Sequence, residues 1–269
     1  MHETHGANVE RRVRKMKQNV IYYSDPLNDD FAGTEIKRKP PRKNFKYVHT
    51  NPFWKFSAFI LYQGLVRPFS HLYRKIVYKS RIYGREKIKD TKGGCYVYAN
   101  HTAKFMDAIH PACCVAPKKA YILVNPDATS IPFISGIVQQ LGGVPLYEEL
   151  KQRKECMKAL DVYTKKDAVF IYPEAHIWPC CTWIRPFTDR SFRYPVKGNL
   201  PTFSCTTVLK KRKFTSLPKI DYYIDGPFYG EGNTPKEIQL DLRNKVYEMM
   251  VERSKESNYD RYLYLKKAE

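Results

Sequence analysis

The sequence predicts an α/β protein whose largely parallel central sheet is flanked by helices and preceded by an N-terminal amphipathic helical segment for membrane attachment. Short apolar runs, typical of buried strands, alternate with longer stretches of helical periodicity, and this alternation predicts a parallel sheet. Polar residues follow the ends of two such runs, where functional groups of parallel sheets gather. Ahead of these runs, aromatic residues at helical spacing occur with positive charges alone, which predicts the membrane segment.

The bulk properties of the chain limit the possible functions. A chain of 269 residues can form one α/β domain with an appendage. The formal net charge of +20 indicates an anionic partner, such as nucleic acid, anionic lipid or an acidic carrier. The seven cysteines form no Cys-x-x-Cys motif and no signal peptide is recognised, so we expect reduced thiols in a cytosol.

Three parts of the chain differ in composition. The composition of residues 1–50 predicts a basic N-terminal arm. Within this arm we expect a short basic helix over 9–17, an acidic turn-rich stretch over 22–34 and an extended linker over 37–43. A solvated tail is the alternative interpretation of this arm. Residues 51–85 predict amphipathic helices at a membrane interface, and residues 86–269 predict the α/β domain.

The segment 51–85 combines helical periodicity with one sign of charge. Phe59, Tyr62, Phe69 and Ile76 recur at helical intervals, and Pro68 is expected to kink the segment or divide it into two helices. From 36 through 85 there are thirteen Lys or Arg residues and no Asp or Glu. The interspersed cations make a spanning helix implausible, so we expect a helix that lies in an anionic membrane interface. The alternative is a pair of core-packing helices with a polar outer face.

The remaining elements follow from apolar pattern and turn residues. Six segments predict strands: 95–99, 120–124, 144–147, 168–172, 201–208 and 219–225. Four segments predict helices: 102–114, 131–141, 148–165 and 235–254. Residues 176–198 predict a long irregular loop, and such loops often carry function. The tail over 258–269 is expected to dock or to fray.

The end of the strand over 95–99 carries the candidate chemistry. Asn100 and His101 follow the strand directly, and Asp107 comes six residues after His101. An imidazole with a nearby buried carboxylate can act as a base whose tautomer the acid fixes. Six positions on a regular helix turn through roughly 600°, so the segment must begin as a turn or bulge for the pair to meet. The alternative is a strand-end histidine with ordinary hydrogen bonds.

Three blocks of the sequence resemble the PlsC-like family of lysophospholipid and 1-acylglycerol-3-phosphate acyltransferases, in a divergent bacterial variant. They are Tyr98-Ala-Asn-His-Thr followed by Asp107-Ala, Leu141-Gly-Gly-Val-Pro-Leu-Tyr147, and Phe170-Ile-Tyr-Pro-Glu174. The blocks stand in the family's order and span about 96–206. Five residues separate His101 from Asp107 where the family has four, and Ala175-His176 replaces the family's Gly-Thr-Arg.

The resemblance implies a glycerolipid acyltransferase fold and an O-acyltransferase activity. His101 would be the general base and Asp107 would orient it, while an acyl chain moves from acyl-CoA or acyl carrier protein to a lysophospholipid or lysophosphatidic acid. No cofactor and no metal is implied, and His101, His110, His176 and Asp107 lack a recognised ligand spacing. The expected location is the cytoplasmic face of the cell membrane, as a peripheral or monotopic protein on an anionic surface.

The same motifs supply candidates for substrate binding. Asn100 and Pro173 lie in the two motifs, and the resemblance implies that Glu174 orders the substrate loop. Lys104 and Arg185 are candidates to replace the missing arginine, because their charges match a substrate phosphate. The alternative for both cations is a solvated surface charge.

Two other functions remain open at this stage. A nucleic-acid-binding protein is the general interpretation of a strongly basic, tyrosine-rich chain. We expect no nucleic-acid partner, because the cations concentrate beside apolar aromatic residues and no known binding motif occurs. The other possibility keeps the fold but has a site that acts on another alcohol, or one that has degenerated.

Overall fold

The computed structural model describes residues 19–33, 45–127 and 135–267. These residues contain a seven-stranded sheet and, beside it, a two-stranded sheet. The strands of the large sheet are β2 (Arg81–Tyr83), β3 (Cys95–Ala99), β4 (Ala120–Val124), β5 (Gly143–Pro145), β6 (Ala168–Ile171), β7 (Thr202–Lys210) and β8 (Lys219–Phe228). The small sheet pairs β1 (Val20–Tyr23) with β9 (Leu263–Lys266) in parallel.

The large sheet is mainly parallel, as the sequence predicted. Its order is β2-β8-β7-β3-β6-β4-β5, and only the β7–β8 pair among these strands is antiparallel. The central strand β3 is buried along its whole length and lies between β7 and β6. Because β3 and β6 are parallel neighbours, with Tyr98 opposite Ile171, the segments that follow them leave the sheet side by side.

Helices cover both faces of the sheet. They are α1 (Pro52–Phe59), α2 (Arg67–Ile76), α3 (Arg85–Lys89), α4 (Phe105–Ile109), α5 (Pro111–Cys114), α6 (Ser135–Gln140), α7 (Leu150–Tyr163), α8 (Arg193–Gly198) and α9 (Pro235–Ser254). The single helix predicted after His101 is two short helices that meet at His110. The predicted loop over 176–198 ends in a 3₁₀ turn (Arg190–Phe192) and α8. The start of the helix predicted over 131–141 lies outside the described residues.

The segment from α1 to α2 is one continuous helical run that Pro68 does not divide into two helices. A π-helical stretch, Ile60–Val66, joins the two α-helices, and the Arg67 N–H donates to the Tyr62 carbonyl five residues back. The wider π turn comes directly before Pro68, a residue that cannot donate a regular helical hydrogen bond. The run therefore continues past the proline without a break.

One face of this run is apolar and uncovered. Its exposed apolar side chains are Phe53, Phe56, Phe59, Ile60, Leu65, Phe69, Leu72 and Ile76. Two of its cations serve the fold instead of the surface: Arg67 donates to the Ala112 and Lys118 carbonyls, and buried Arg74 donates to the Ser80 carbonyl. Among the residues that the structure describes, no helix is long and apolar enough to cross a membrane.

Part of the predicted N-terminal arm packs on the domain. The Trp178 indole N–H donates to the Asp29 carbonyl at 2.7 Å, and the Phe31 N–H donates to the Ile177 carbonyl. The C-terminal tail docks as β9, so the two ends of the described chain meet in the small sheet. The basic helix predicted over 9–17 and the linker predicted over 37–43 lie outside the described residues. The large sheet already begins at β2, before the boundary predicted at residue 86.

Candidate active site

His101 and Asp107 meet where the central strand ends. His101 follows β3 directly, and the chain then turns through Lys104, whose φ of 48° ends the turn before α4. The turn brings Asp107, in the first turn of α4, back to the imidazole, and Nδ1 of His101 lies 2.7 Å from Oδ2 of Asp107. The Ala103 N–H donates to the same oxygen at 2.9 Å. The six-residue spacing is therefore compatible with a dyad because the helix starts late.

The two partners differ in exposure. The His101 side chain keeps 16% of its surface exposed, whereas the Asp107 side chain keeps 1%. The Tyr172 ring stacks on the imidazole at 4.3 Å, and its hydroxyl donates to the Asp107 carbonyl at 2.5 Å. Burial raises the pKa of Tyr172 well above its usual value, and the nearby Asp107 adds to this rise, so the phenol remains a donor. An ionised carboxylate on Nδ1 assigns the proton to that nitrogen and leaves Nε2 as the acceptor.

Glu174 holds two loops together beneath the dyad. It follows β6, and its Oε2 accepts the His101 N–H at 2.9 Å while its Oε1 accepts the Arg185 N–H at 2.9 Å. The carboxylate is buried, and an Arg185 guanidinium nitrogen lies 3.3 Å from Oε2. Burial raises the pKa of Glu174, while the Arg185 charge and the two backbone N–H groups oppose the rise. Glu174 thus orders the loop that carries His101.

Arg185 lies in the core of the protein, whereas the sequence suggested it as a contact for a substrate phosphate. Its side chain is buried, and its guanidinium donates to the carbonyls of His176 and Pro26 and stacks over Trp178 at 4.8 Å. The reason is electrostatic, because a carboxylate as deeply buried as Glu174 needs a neighbouring positive charge. In this structure the guanidinium stabilises the core of the site and is not presented at its mouth.

The other three predicted site residues differ in how deeply they are buried. Asn100 is buried, and its amide exchanges hydrogen bonds with the backbone of Thr207, which ties β3 to β7. Pro173 is half-buried between Tyr172 and Glu174. Lys104 is exposed at the turn beside the dyad. The structure therefore brings the partly exposed His101, the exposed Lys104 and the buried Asp107 together at the end of β3. We call the exposed part of this region the mouth of the site. Asn100 and Glu174 are buried and support it.

Sequence reasoning missed two features of this mouth. Arg261 is exposed, and its charge acts together with Lys104 to oppose the burial-driven rise in the pKa of the Cys180 thiol. Cys180 in turn donates its N–H to the carbonyl of Thr102, next to His101. Arg261 belongs to the C-terminal tail, so no local pattern links it to the motif. Tyr172 stands within a recognised block, but only its stacking on His101 shows a role.

An apolar groove begins beside α4. It has a volume of about 410 Å³ and lies between α2, α4 and β4, the strand next to the edge of the sheet. Its lining consists of Tyr62, Leu65, Val66, Phe69, Phe105, Ala108, Ile109, Ala112, Ala120, Ile122 and Leu141. Ala108 and Ile109 directly follow Asp107 in sequence, whereas neither His101 nor Asp107 lines the groove. The helical periodicity of the segment 51–85 was the signal for four of these eleven lining residues.

Comparison with known proteins adds a likeness to a solved structure. No protein-family description and no curated protein sequence matches the chain. Among solved structures, the chain is similar to the crystal structure of the 1-acyl-sn-glycerophosphate (LPA) acyltransferase, PlsC, from Thermotoga maritima. The two share 21% sequence identity and a TM-score of 0.47, over 76% of this chain and 92% of that chain. A likeness at this level assigns neither a family nor an activity.

Proposed function

We propose that the protein is a membrane-associated O-acyltransferase. It moves an acyl chain from acyl-CoA or acyl carrier protein to a hydroxyl of a lysophospholipid or of lysophosphatidic acid. The observation that carries this proposal is the 2.7 Å contact between His101 Nδ1 and the buried Asp107 carboxylate at the carboxyl end of the central strand. A partly exposed imidazole braced by a buried acid has the geometry of a general base.

The dyad can carry the whole reaction without an acylated protein group. His101 Nε2 takes the proton of the acceptor hydroxyl as its oxygen attacks the thioester carbonyl, and Asp107 stabilises the imidazolium that forms. The tetrahedral intermediate then collapses with cleavage of the C–S bond. The departing thiolate takes the proton from His101, which leaves an ester, a free thiol and a neutral imidazole.

The apolar groove supports an acyl chain as the transferred group. It is lined by aliphatic and aromatic side chains and starts at the residues that follow Asp107. Each methylene that leaves water for such a groove contributes about 0.8 kcal/mol. A chain in the groove would hold its thioester carbonyl near His101.

Two exposed cations are the candidates for the acceptor phosphate. Lys104 and Arg261 lie near the mouth of the site, and the guanidinium of Arg261 can bind phosphate oxygens in pairs. Arg185 is already engaged with Glu174, so we assign it to loop support.

The uncovered face of the helical run is the proposed membrane contact. Its aromatic and aliphatic side chains would enter the interface, and its exposed cations Lys55 and Lys75 would meet anionic headgroups. Each basic residue near such a surface contributes about 1 kcal/mol. The protein would then be a peripheral or monotopic protein on the cytoplasmic face of the cell membrane.

An acyl-transfer assay on the purified full chain tests the proposal. Wild type and Asp107→Asn are incubated with lysophosphatidic acid in anionic vesicles and with labelled acyl-CoA or acyl carrier protein. We expect turnover by wild type and a loss of about 10²–10⁴-fold for Asp107→Asn, because the asparagine cannot hold the required tautomer. Asp161→Asn is the matched control, since Asp161 is an exposed acid paired with Lys197. Full activity of Asp107→Asn would contradict the dyad.

A second measurement separates this function from nucleic-acid binding. Sedimentation with anionic vesicles is compared with a salt-titrated gel shift on duplex DNA and RNA. Vesicle binding that persists in salt, without nucleic-acid binding, supports a membrane enzyme, because apolar insertion is not screened. Salt-sensitive binding to nucleic acid alone would overturn the membrane assignment.

A further inference from the structure

A second polar cluster lies in the core behind Asp107. It consists of His110, at the junction of α4 and α5, Cys114, at the end of α5, and Cys205 on β7. All three residues are buried, and a ring nitrogen and the two sulfur atoms lie within 4.8 Å of one another. The proposed acyl transfer uses none of them.

The spacing of the two sulfur atoms fits a shared metal ion. Sγ of Cys205 lies 3.9 Å from Sγ of Cys114, and both thiols are free. Two Zn–S bonds of about 2.3 Å at the tetrahedral angle separate their sulfurs by roughly 3.8 Å. The cysteines therefore already stand at the distance that a zinc ion requires, without a movement of the backbone.

The imidazole is oriented as a ligand. Nδ1 of His110 lies 2.7 Å from the Met106 carbonyl, which accepts its proton and leaves Nε2 as an unprotonated acceptor. This Nε2 is buried and has no hydrogen-bond partner in the described parts of the chain. Metal-binding histidines typically donate their other nitrogen to a carbonyl or carboxylate in this way. A buried acceptor left unpaired is destabilising, and a bound cation removes that cost.

The charge of the ligand set suits a divalent ion in the core. Two thiolates and one neutral imidazole around Zn²⁺ form a unit with no net charge, which avoids the large cost of a buried ion. Sulfur and imidazole ligands together favour zinc over magnesium or calcium. Zinc binding would release thiol protons and would weaken as the pH falls.

We propose that His110, Cys114 and Cys205 supply three ligands of a buried zinc site that joins the α4–α5 segment to the central sheet. Of the buried side-chain oxygens that lack a hydrogen-bond partner among the described residues, two belong to side chains in contact with His110. Asp107 Oδ1 lies 3.8 Å from His110 Nδ1, and the Tyr222 ring stacks on the imidazole at 4.3 Å. Linear spacing did not reveal the site, because Cys205 comes from a distant strand.

Metal content is the direct test. The full chain is purified under reducing conditions from cells grown with added zinc, and zinc per chain is measured by elemental analysis. We expect about one zinc per chain for wild type and a background level for Cys205→Ser. Cys156→Ser is the matched control, since Cys156 is an equally buried thiol on α7, in a different part of the core, and should retain zinc.

A spectroscopic measurement does not depend on the folding of the variants. Wild-type protein stripped of metal is titrated with Co²⁺ alone, and sulfur-to-cobalt charge-transfer absorption is expected to saturate at about one equivalent. Absence of both stoichiometric zinc and this absorption in wild type would overturn the site. Mass spectrometry of the unreduced chain provides the other contrary result: a Cys114–Cys205 disulfide would show that the pair serves oxidation instead.

Discussion

Two histidines meet the same carboxylate from opposite sides. His101 lies 2.7 Å from one oxygen of Asp107 and reaches solvent, whereas His110 lies 3.8 Å from the other oxygen and is fully buried. Each ring stacks on a tyrosine at 4.3 Å, Tyr172 for the first and Tyr222 for the second. The two imidazole rings differ in the hydrogen-bond partner of Nδ1 and in the surroundings of Nε2. A neighbouring acid therefore does not decide what a histidine does; the exposure of its remaining nitrogen does.

The largest expected effect is a loss of catalytic activity when His101 is replaced. His101→Ala should lower kcat for acyl transfer by about 10²–10⁴-fold, with little change in KM, because in the proposed reaction the imidazole moves a proton and does not bind the acceptor. Steady-state kinetics with lysophosphatidic acid in vesicles measure both constants. The control is His176→Ala, which removes another imidazole near a carboxylate, 3.5 Å from Asp30. Equal losses in the two variants would end the distinction between them.

The second-largest effect is expected at Glu174 and Arg185, the buried pair that supports the loop carrying His101. Glu174→Gln should lower the free energy of unfolding by about 3–5 kcal/mol, because Arg185 is then left buried without its opposite charge. Urea unfolding measures this loss. The double variant Glu174→Gln/Arg185→Met is expected to recover part of it, since no unpaired charge remains. A single variant as stable as wild type would show that the carbonyls of His176 and Pro26 suffice for the guanidinium.

A smaller effect is expected at His110, the buried histidine of the two. In the presence of a chelator, His110→Leu should be as stable as wild type or more stable by about 1–3 kcal/mol, because it removes a buried acceptor without a partner. The Met106 carbonyl keeps the backbone N–H of residue 110 as a donor. In the presence of zinc, only wild type should gain stability. Urea unfolding with and without zinc measures both, and a chelated variant far less stable than wild type would contradict the assignment.

The smallest effect lies farthest from the carboxylate, on the helical run. Lys75 is exposed on α2, and Lys75→Glu should weaken binding to anionic vesicles by at least about fivefold, because the lost positive charge alone contributes about 1 kcal/mol. Sedimentation with vesicles of increasing anionic lipid content measures the change. Lys158→Glu on the exposed face of α7 is the control and should bind as wild type does. Equal weakening by both variants would mean that net charge, and not this face, governs binding.

Much of the fold followed from local pattern. The strands over 95–99 and 120–124 and the helix over 235–254 lie where periodicity and flanking prolines predicted them. The break at His110 and the π-helical stretch before Pro68 were not predicted, because both depend on how neighbouring turns share their hydrogen bonds. The pairing of the N-terminal arm with the tail joins segments that no local rule connects.

The sequence by itself determined the alternation of strands and helices, the excess of positive charge, and the positions of His101, Asp107 and Glu174 after strand ends. Apolar spacing and chain direction decide these, and both are local properties. Only the tertiary structure decided that Arg185 pairs with Glu174, that the charges of Arg261 and Lys104 both act on the Cys180 thiol, and that Cys205 stands 3.9 Å from Cys114. These are contacts between residues far apart in the chain. Burial sets them, because a buried charge or polar atom takes whichever partner the packed core brings to it.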